Sequence, residues 1–376
     1  MRAWSPGMRD SAIDGLSTLA RRSDWRCADD AEMIRARVVD ALDDENPLVR
    51  MHAAEAFGAL YANLDAPQRV QAVGDRLMNE QDVTVQNVLL AALASELTAA
   101  PQGVDDVLKN FMDRLDTSTG AKEGDDDECG LVVDILTILA IELRTPFALN
   151  IVEKWVGSAP WHSRESLRVI QDLRSFIGPQ IESQLQVQAF ELLATAANVA
   201  LAVATRPADE QFDHVASSAE CTTESDDALR IIDSISNQIY FASGAFNQND
   251  DGATVDLSQE PFAVLAVPVL STCARTGIAV ILHHVVETLI YLAPLNERRA
   301  LLAVADAVGA NIGYAGESLA GNQVIPYLKR LLAEHCELVL FDTEGVTAFR
   351  QLLSTFATAG NQHALEMAFT FADVFR

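Results

Sequence analysis

Residues 43–60, DDENPLVRMHAAEAFGAL, describe a turn followed by a helix, and the same outline returns 36 residues further on. Asn46 is a helix-capping residue type placed before Pro47, and proline at a first helical position gives up nothing, because that N–H has no partner inside the helix. From there Val49, Ala53, Ala56, Phe57 and Leu60 recur at helical intervals and share one face; Ile34, Val38 and Leu42 do the same before the turn. In the second copy, RLMNEQDVTVQNVLLAALASEL, Met78 stands where Leu42 stood, Asp82 for Asn46, Val85 for Val49 and Leu89 for Ala53. A helical pair of this size cannot shield its apolar face alone, so successive pairs must stack.

Leu42, Asp44, Pro47, Val49, Arg50, Ala53, Ala54, Ala56, Gly58 and Leu60 together resemble a HEAT repeat, and the likeness is clear over about residues 34–97. The resemblance implies an all-α chain, an α-solenoid of stacked antiparallel helical pairs that becomes irregular in the C-terminal half. It also implies that Asp44 and Arg50 are ladder residues bonded along the stack. In the second copy Glu80 keeps the acid of Asp44, but Gln86 replaces Arg50 and Val83 replaces Pro47. Packing can carry that loss. Full burial of a leucine or phenylalanine is worth about 1.5–3 kcal/mol, whereas an exposed ion pair contributes about 0–1 kcal/mol.

The punctuation of the chain predicts four regions. HEAT-like repeats occupy 1–145, with an acidic insert near 116–129 lengthening the turn of a third pair. Degenerate pairs follow over 146–245, with an acidic loop expected near 207–227; a polar loop spans 246–260, and further pairs fill 261–376. The most apolar stretch, FAVLAVPVLSTCARTGIAVILHHVVETLIYLAPL, is broken by Pro268, Arg275, His283, His284 and Glu287, and reads as two buried helices with no membrane crossing.

Charge narrows the partners. With 27 basic against 54 acidic residues the formal charge is -27, which repels phosphate backbones and anionic bilayers. No nucleic acid and no membrane are expected; a basic protein partner is. The five cysteines are spread out with no C-x-x-C pair, so no disulfide framework is expected, and the first residues hold no apolar run of signal-peptide length, which points to the cytoplasm.

Searches for chemistry return weak imitations. Asn247, Asn249 and Asp251 alternate before Gly252 as in a calcium loop, but the twelfth position is Ser258 and Glu260 comes two residues late, so no metal is expected there. His283 and His284 are neighbours on a helix and point about 100° apart, and the His335–Cys336 pair has the same defect. The glycines of GYAGESLAG follow a helix instead of a strand and lack the context of a phosphate loop. Asp125, Asp126 and Asp127 read as a solvated run. No catalytic residue and no cofactor are expected. The leading expectation is a non-enzymatic scaffold or adaptor for another protein. The alternatives are a regulatory or sensor subunit beside a nucleotide-driven enzyme, and an enzyme of the HEAT-like class such as a DNA glycosylase or bilin lyase. The acidic charge weighs against the glycosylase.

Overall fold

The computed structural model describes residues 7–21, 28–118, 130–205, 218–247 and 255–370, and among them every regular element is helical. The chain forms two compact units, Met1–Val152 and Glu153–Arg376.

The first unit holds α1 (Met8–Ala20), α2 (Ala28–Ala41), α3 (Pro47–Glu55), α4 (Phe57–Leu60), α5 (Ala66–Asn79), α6 (Val83–Ala94), α7 (Pro101–Ser118) and α8 (Gly130–Ile138), which runs into a π-helical turn at Leu139–Leu143. The caps fall where the residue types put them. Asn46 accepts the Leu48 N–H ahead of Pro47, and Asp82 accepts those of Thr84 and Val85. Helices α1, α3, α6 and α8 pack in sequence as one layer, and α5 and α7 lie side by side in the other. Val49, Ala53, Leu77, Leu89, Leu93 and Leu108 fill the space between, all 1% exposed or less.

Small residues set the spacing of α5 and α7. A Cβ added at Gly74 would lie 2.7 Å from Cγ2 of Val107, and one added at Gly103 would lie 3.2 Å from Cγ1 of Val70, so each helix seats a valine of the other on a glycine. Valine is stiff in a helix and cannot swing clear. Gly74→Leu is therefore expected to destabilise the unit by about 1–3 kcal/mol, although leaving glycine gains about 1 kcal/mol of helix propensity. A Gly58→Leu control has open space, with nothing within 4 Å. Urea midpoints of the two variants check this: equal midpoints would mean that the glycine seat is irrelevant.

Helix α9 (Pro146–Gly157) spans the division between the units. The second unit continues with α10 (Ser163–Ile177), α11 (Ser183–Ala204), α12 (Ser218–Ser243), α13 (Glu260–Ala274), α14 (Ala279–Leu292), α15 (Glu297–Ala310), α16 (Ser318–Glu334), α17 (Cys336–Leu340), α18 (Thr343–Thr358) and α19 (Gln362–Thr370). From α10 to α15 each helix packs on its neighbour, and next-but-one helices touch from α10 to α16, placing α10, α12, α14 and α16 in one layer and α11, α13 and α15 in the other, with α18 also packed on α15. This is the all-α, HEAT-like stacking of antiparallel pairs. Its irregularity is in length, from 5 residues in α17 to 26 in α12.

The stretch 207–227, expected as an acidic loop, differs. Its second part, from residue 218, is already helical in α12, while 206–217 lie outside the described residues. Polar letters mark a loop only where no apolar face continues through them. Here Ala228, Ile231, Ile232, Ile235 and Ile239, all fully buried, fix α12, and the helix runs back from them through Asp227, Asp226 and Glu224 to Ser218. The acidic insert lies largely outside the description, since 119–129 are not described.

The apolar run beginning at Phe262 forms α13 and α14, and Pro268 sits inside α13 without ending it. By length and composition alone, Ser183–Ala204 and Leu257–Ala274 could each span a bilayer; 44% of each such stretch is buried within the fold. In α11 the buried positions Ala189, Phe190, Leu193, Ala196, Ala197 and Ala200 face α12 and α13, and Phe190 meets Phe262 edge-on at 5.6 Å.

Candidate functional site

Two features stand out in the first unit: a polar ladder and a groove. Arg50 and Asp44 do not pair through their side chains. The Arg50 guanidinium grips Glu80 of the next pair bidentately, at 2.9 Å and 2.8 Å, and donates to the main-chain oxygen of Asp44 at 2.7 Å. The Asp44 carboxylate takes Arg9 from α1 and accepts the Asn46 N–H at 2.9 Å. Glu80 is 2% exposed at its side chain. Burial alone would push its carboxyl up; the Arg50 guanidinium and the N–H groups of Asp82 and Gln81 outweigh that and hold it below the usual carboxylate value. The same pairing pushes Arg50 up.

Gln86, which replaces Arg50 in the second copy, keeps half of this role: its amide donates to the Glu80 carbonyl at 2.9 Å. Gln186 at the start of α11 does likewise to the Gly178 carbonyl, at 2.9 Å. The recurring requirement is a donor, because the last carbonyls of the preceding helix have no partner within it. A second row was not foreseen from sequence. Arg76 donates to the Leu42 carbonyl and pairs with Asp43, and Arg114 donates to the carbonyls of Leu77, Met78 and Glu80. Their 38-residue spacing is the signal that could have found them. Arg69 closes a further bidentate pair, on Glu96 at 2.6 Å and 2.7 Å.

The groove lies between α5 and α7 and encloses about 460 Å³. Gly74, Gly103, Val70 and Val107 make its floor, and the exposed carboxylates of Asp75 and Asp106 stand at its rim. Each carboxylate is oriented by an amide one turn earlier: Gln71 donates to Asp75 at 2.7 Å and Gln102 to Asp106 at 3.2 Å. An apolar floor with a fixed acidic rim suits a segment carrying both aliphatic and basic groups.

In the second unit His283 and His284 diverge. His283 bridges α14 to the segment after α15: its Nε2 is 2.9 Å from Glu317 and its Nδ1 is 3.2 Å from the Tyr314 hydroxyl. The Glu317 carboxylate can only accept, so Nε2 carries the hydrogen, and in the neutral imidazole Nδ1 then accepts from the hydroxyl of Tyr314, which is fully buried and whose phenol burial raises. Hydroxyl, imidazole and carboxylate line up as in an acid–base relay, but the hydroxyl ends in the core, where the set acts as a strut. His284 packs on Tyr240 at 5.1 Å, and burial lowers its pKa. Glu287, one turn on, takes Gln323 of α16 at 3.2 Å and bonds Tyr240 of α12; burial raises its carboxyl.

The other candidates are dispersed. Asn247 ends a short 3-10 turn, Ala245–Asn247, while Asn249 and Asp251 lie outside the described residues, as do Asp125, Asp126 and Asp127. Gly313 and Gly316 belong to a 3-10 turn, Ile312–Gly316, joining α15 to α16, and Gly321 lies within α16. His335 faces Glu297 at 3.5 Å while Cys336 is exposed. Cys273 is fully buried, and burial pushes its thiol up to about 12, which leaves it inert as a nucleophile.

No protein-family model and no curated protein matches the sequence. Among solved structures the chain is similar to the karyopherin Kap121p. The form bound to the SUMO protease Ulp1p shares 14% identity at a TM-score of 0.42, covering 99% of this chain and 42% of that one. The form bound to the extreme C-terminus of the protein phosphatase Cdc14p shares 13% at a TM-score of 0.43, with 99% and 42% covered. Kap121p by itself shares 13% at 0.43, with 98% and 42% covered. The chain thus spans about two fifths of the length of these structures.

Proposed function

We propose that the protein is a non-enzymatic scaffold that holds a basic protein segment, seated in the first unit in the groove between α5 and α7. One observation carries the reading: positive charge is scarce, with 27 basic against 54 acidic residues, and four arginines of the first unit are committed to the fold. Arg50, Arg69, Arg76 and Arg114 tie one helical pair to the next or close one pair on itself. Acidic groups are in excess, and Asp75 and Asp106 are held outward by their glutamines around an apolar floor. Such a surface attracts a basic segment at long range and rewards aliphatic groups at contact.

A labelled peptide of alternating lysine and leucine, titrated by fluorescence anisotropy, tests this directly. It is expected to bind, to weaken as salt screens the rim, and to lose about tenfold in affinity, about 1.4 kcal/mol, in the Asp75→Asn/Asp106→Asn double variant. Equal affinity for an acidic peptide of the same length, or no change in the double variant, would remove the groove as the seat. Affinity purification from the native source supplies the partner; recovery of acidic partners alone would reverse the charge argument.

A further inference from the structure

The N-terminal helix docks in an unusual way. Among the described residues the first buried apolar side chain of this unit is Ile34, and the side chains that α1 buries are Asp10 and Ser17, both polar. Its apolar residues Ile13, Leu16 and Leu19 are only half-buried, and its hydrogen-bonded ties include Arg9 on Asp44 and Asp10 accepting from the Asn46 amide at 3.4 Å. A helix whose large apolar side chains are at most half-buried gains less from burial than one seated in the core. Where α1 crosses α3, however, three metal-ligating groups converge. His52 and Glu55 stand three residues apart on one face of α3, and Asp14 faces them from α1.

The imidazole Nδ1 of His52 is buried and makes no hydrogen bond. It lies 3.8 Å from the Asp14 carboxylate and 3.8 Å from that of Glu55, too far for hydrogen bonding and close enough to share one ion. One atom from each group falls within 4.8 Å of the others. Around tetrahedral zinc, with nitrogen and oxygen at about 2.0–2.2 Å, ligand atoms sit roughly 3.3–3.6 Å apart, so small side-chain rotations close the set. Arg21 approaches Glu55 at 3.7 Å, again beyond hydrogen-bond range, and instead donates to the Ser17 carbonyl and the Thr18 hydroxyl.

We propose that Asp14, His52 and Glu55 form a divalent transition-metal site, with zinc as its natural occupant, that clasps α1 onto α3. The donor set decides the class. One imidazole and two carboxylates suit zinc, whereas calcium and magnesium prefer oxygen alone and monovalent copper prefers sulfur. Two carboxylates balance the charge of the dication, and three protein ligands leave a fourth position for water. The ion adds an anchor to a helix whose large apolar side chains are only half-buried.

The test uses the full chain, stripped with a chelator and titrated with zinc against a chromogenic competitor. One zinc per chain is expected, with affinity lowered at least about tenfold in His52→Gln and in Asp14→Asn, since even outer-shell changes at metal sites cost that much. Amide exchange over residues 8–20 is expected to slow on adding zinc to the native chain and to stay unchanged in His52→Gln. The glutamine fills similar space, and circular dichroism without metal shows whether that variant keeps its fold; if it does not, Asp14→Asn, on a more exposed side chain, carries the comparison. Undiminished stoichiometric binding in folded variants, absence of binding in the native chain, or zinc protection elsewhere but not over 8–20 would each overturn the site.

Discussion

Arg50→Met is expected to destabilise the first unit by about 3–5 kcal/mol, because it strands a carboxylate that the fold has taken out of water. Glu80 is 2% exposed, and the guanidinium supplies two of the hydrogen bonds that keep it charged there. The pair as a whole is worth much less than the loss of one member, since both ions gave up their hydration to meet. An Arg50→Met/Glu80→Leu double variant is therefore expected to recover most of the lost stability, and a double-mutant cycle by urea unfolding separates the two contributions. If the single and double variants unfold alike, Glu80 is not the stranded partner. Linkage supplies a second check. The folded carboxyl of Glu80 lies below its ordinary value of 4.5, so its contribution is complete above that value and is lost as pH falls through the folded pKa. The gap between native chain and Arg50→Met should accordingly be widest near neutrality and narrow in acid below 4.5.

That pair also marks how far the sequence could be followed. Asn46, Pro47 and Asp82 announce their helices because a cap acts on N–H groups two or three residues away, and the apolar faces of α3 and α6 are legible because helical period is local. The partner of Arg50 is 30 residues off, and the alignment of the two copies pointed to it only as the acid that replaces Asp44. Arg76 and Arg114 are not legible from the repeat because they lie in α5 and α7, the first helix of each pair, and its matched positions there include no charged residue. The groove is hidden from sequence for a different reason: its floor depends on Gly74 and Gly103 letting α5 and α7 approach until a valine of each rests on the other, and a glycine inside a helix reads from sequence only as a weak point. His52 lacked a signal altogether, its prospective partner Asp14 being 38 residues away across a break between helices. The start of α12 is hidden by its acidic composition, because the buried isoleucines that fix the helix follow the acids in the chain.

Asp105 is the second residue whose removal should be costly. It is 1% exposed and accepts three hydrogen bonds from the start of α9: the Thr145 hydroxyl at 2.8 Å, the Phe147 N–H at 3.0 Å and the Ala148 N–H at 2.9 Å. A threonine before a helix ordinarily caps that helix itself. Here its hydroxyl is a donor, and the cap is delivered by a carboxylate from α7, forty residues earlier in the chain. Just before it, Arg144 adopts a left-handed conformation with φ of 53°, and the chain turns by 113° between the π-helical turn and α9. Pro146 can open the new helix, but it cannot satisfy the N–H groups behind it. Asp105→Ala leaves those donors without an acceptor at a buried helix start, at about 1–3 kcal/mol for each group that water cannot reach, so a loss of roughly 3 kcal/mol or more is expected. Asp105→Asn keeps the volume and one acceptor but turns an amide toward donors, and should fall between the two. Amide exchange of Phe147 and Ala148 is the sharper measurement. It is expected to accelerate in Asp105→Ala more than that of α3, because the carboxylate acts on α9 alone, and uniform acceleration across the unit would instead assign Asp105 to general packing.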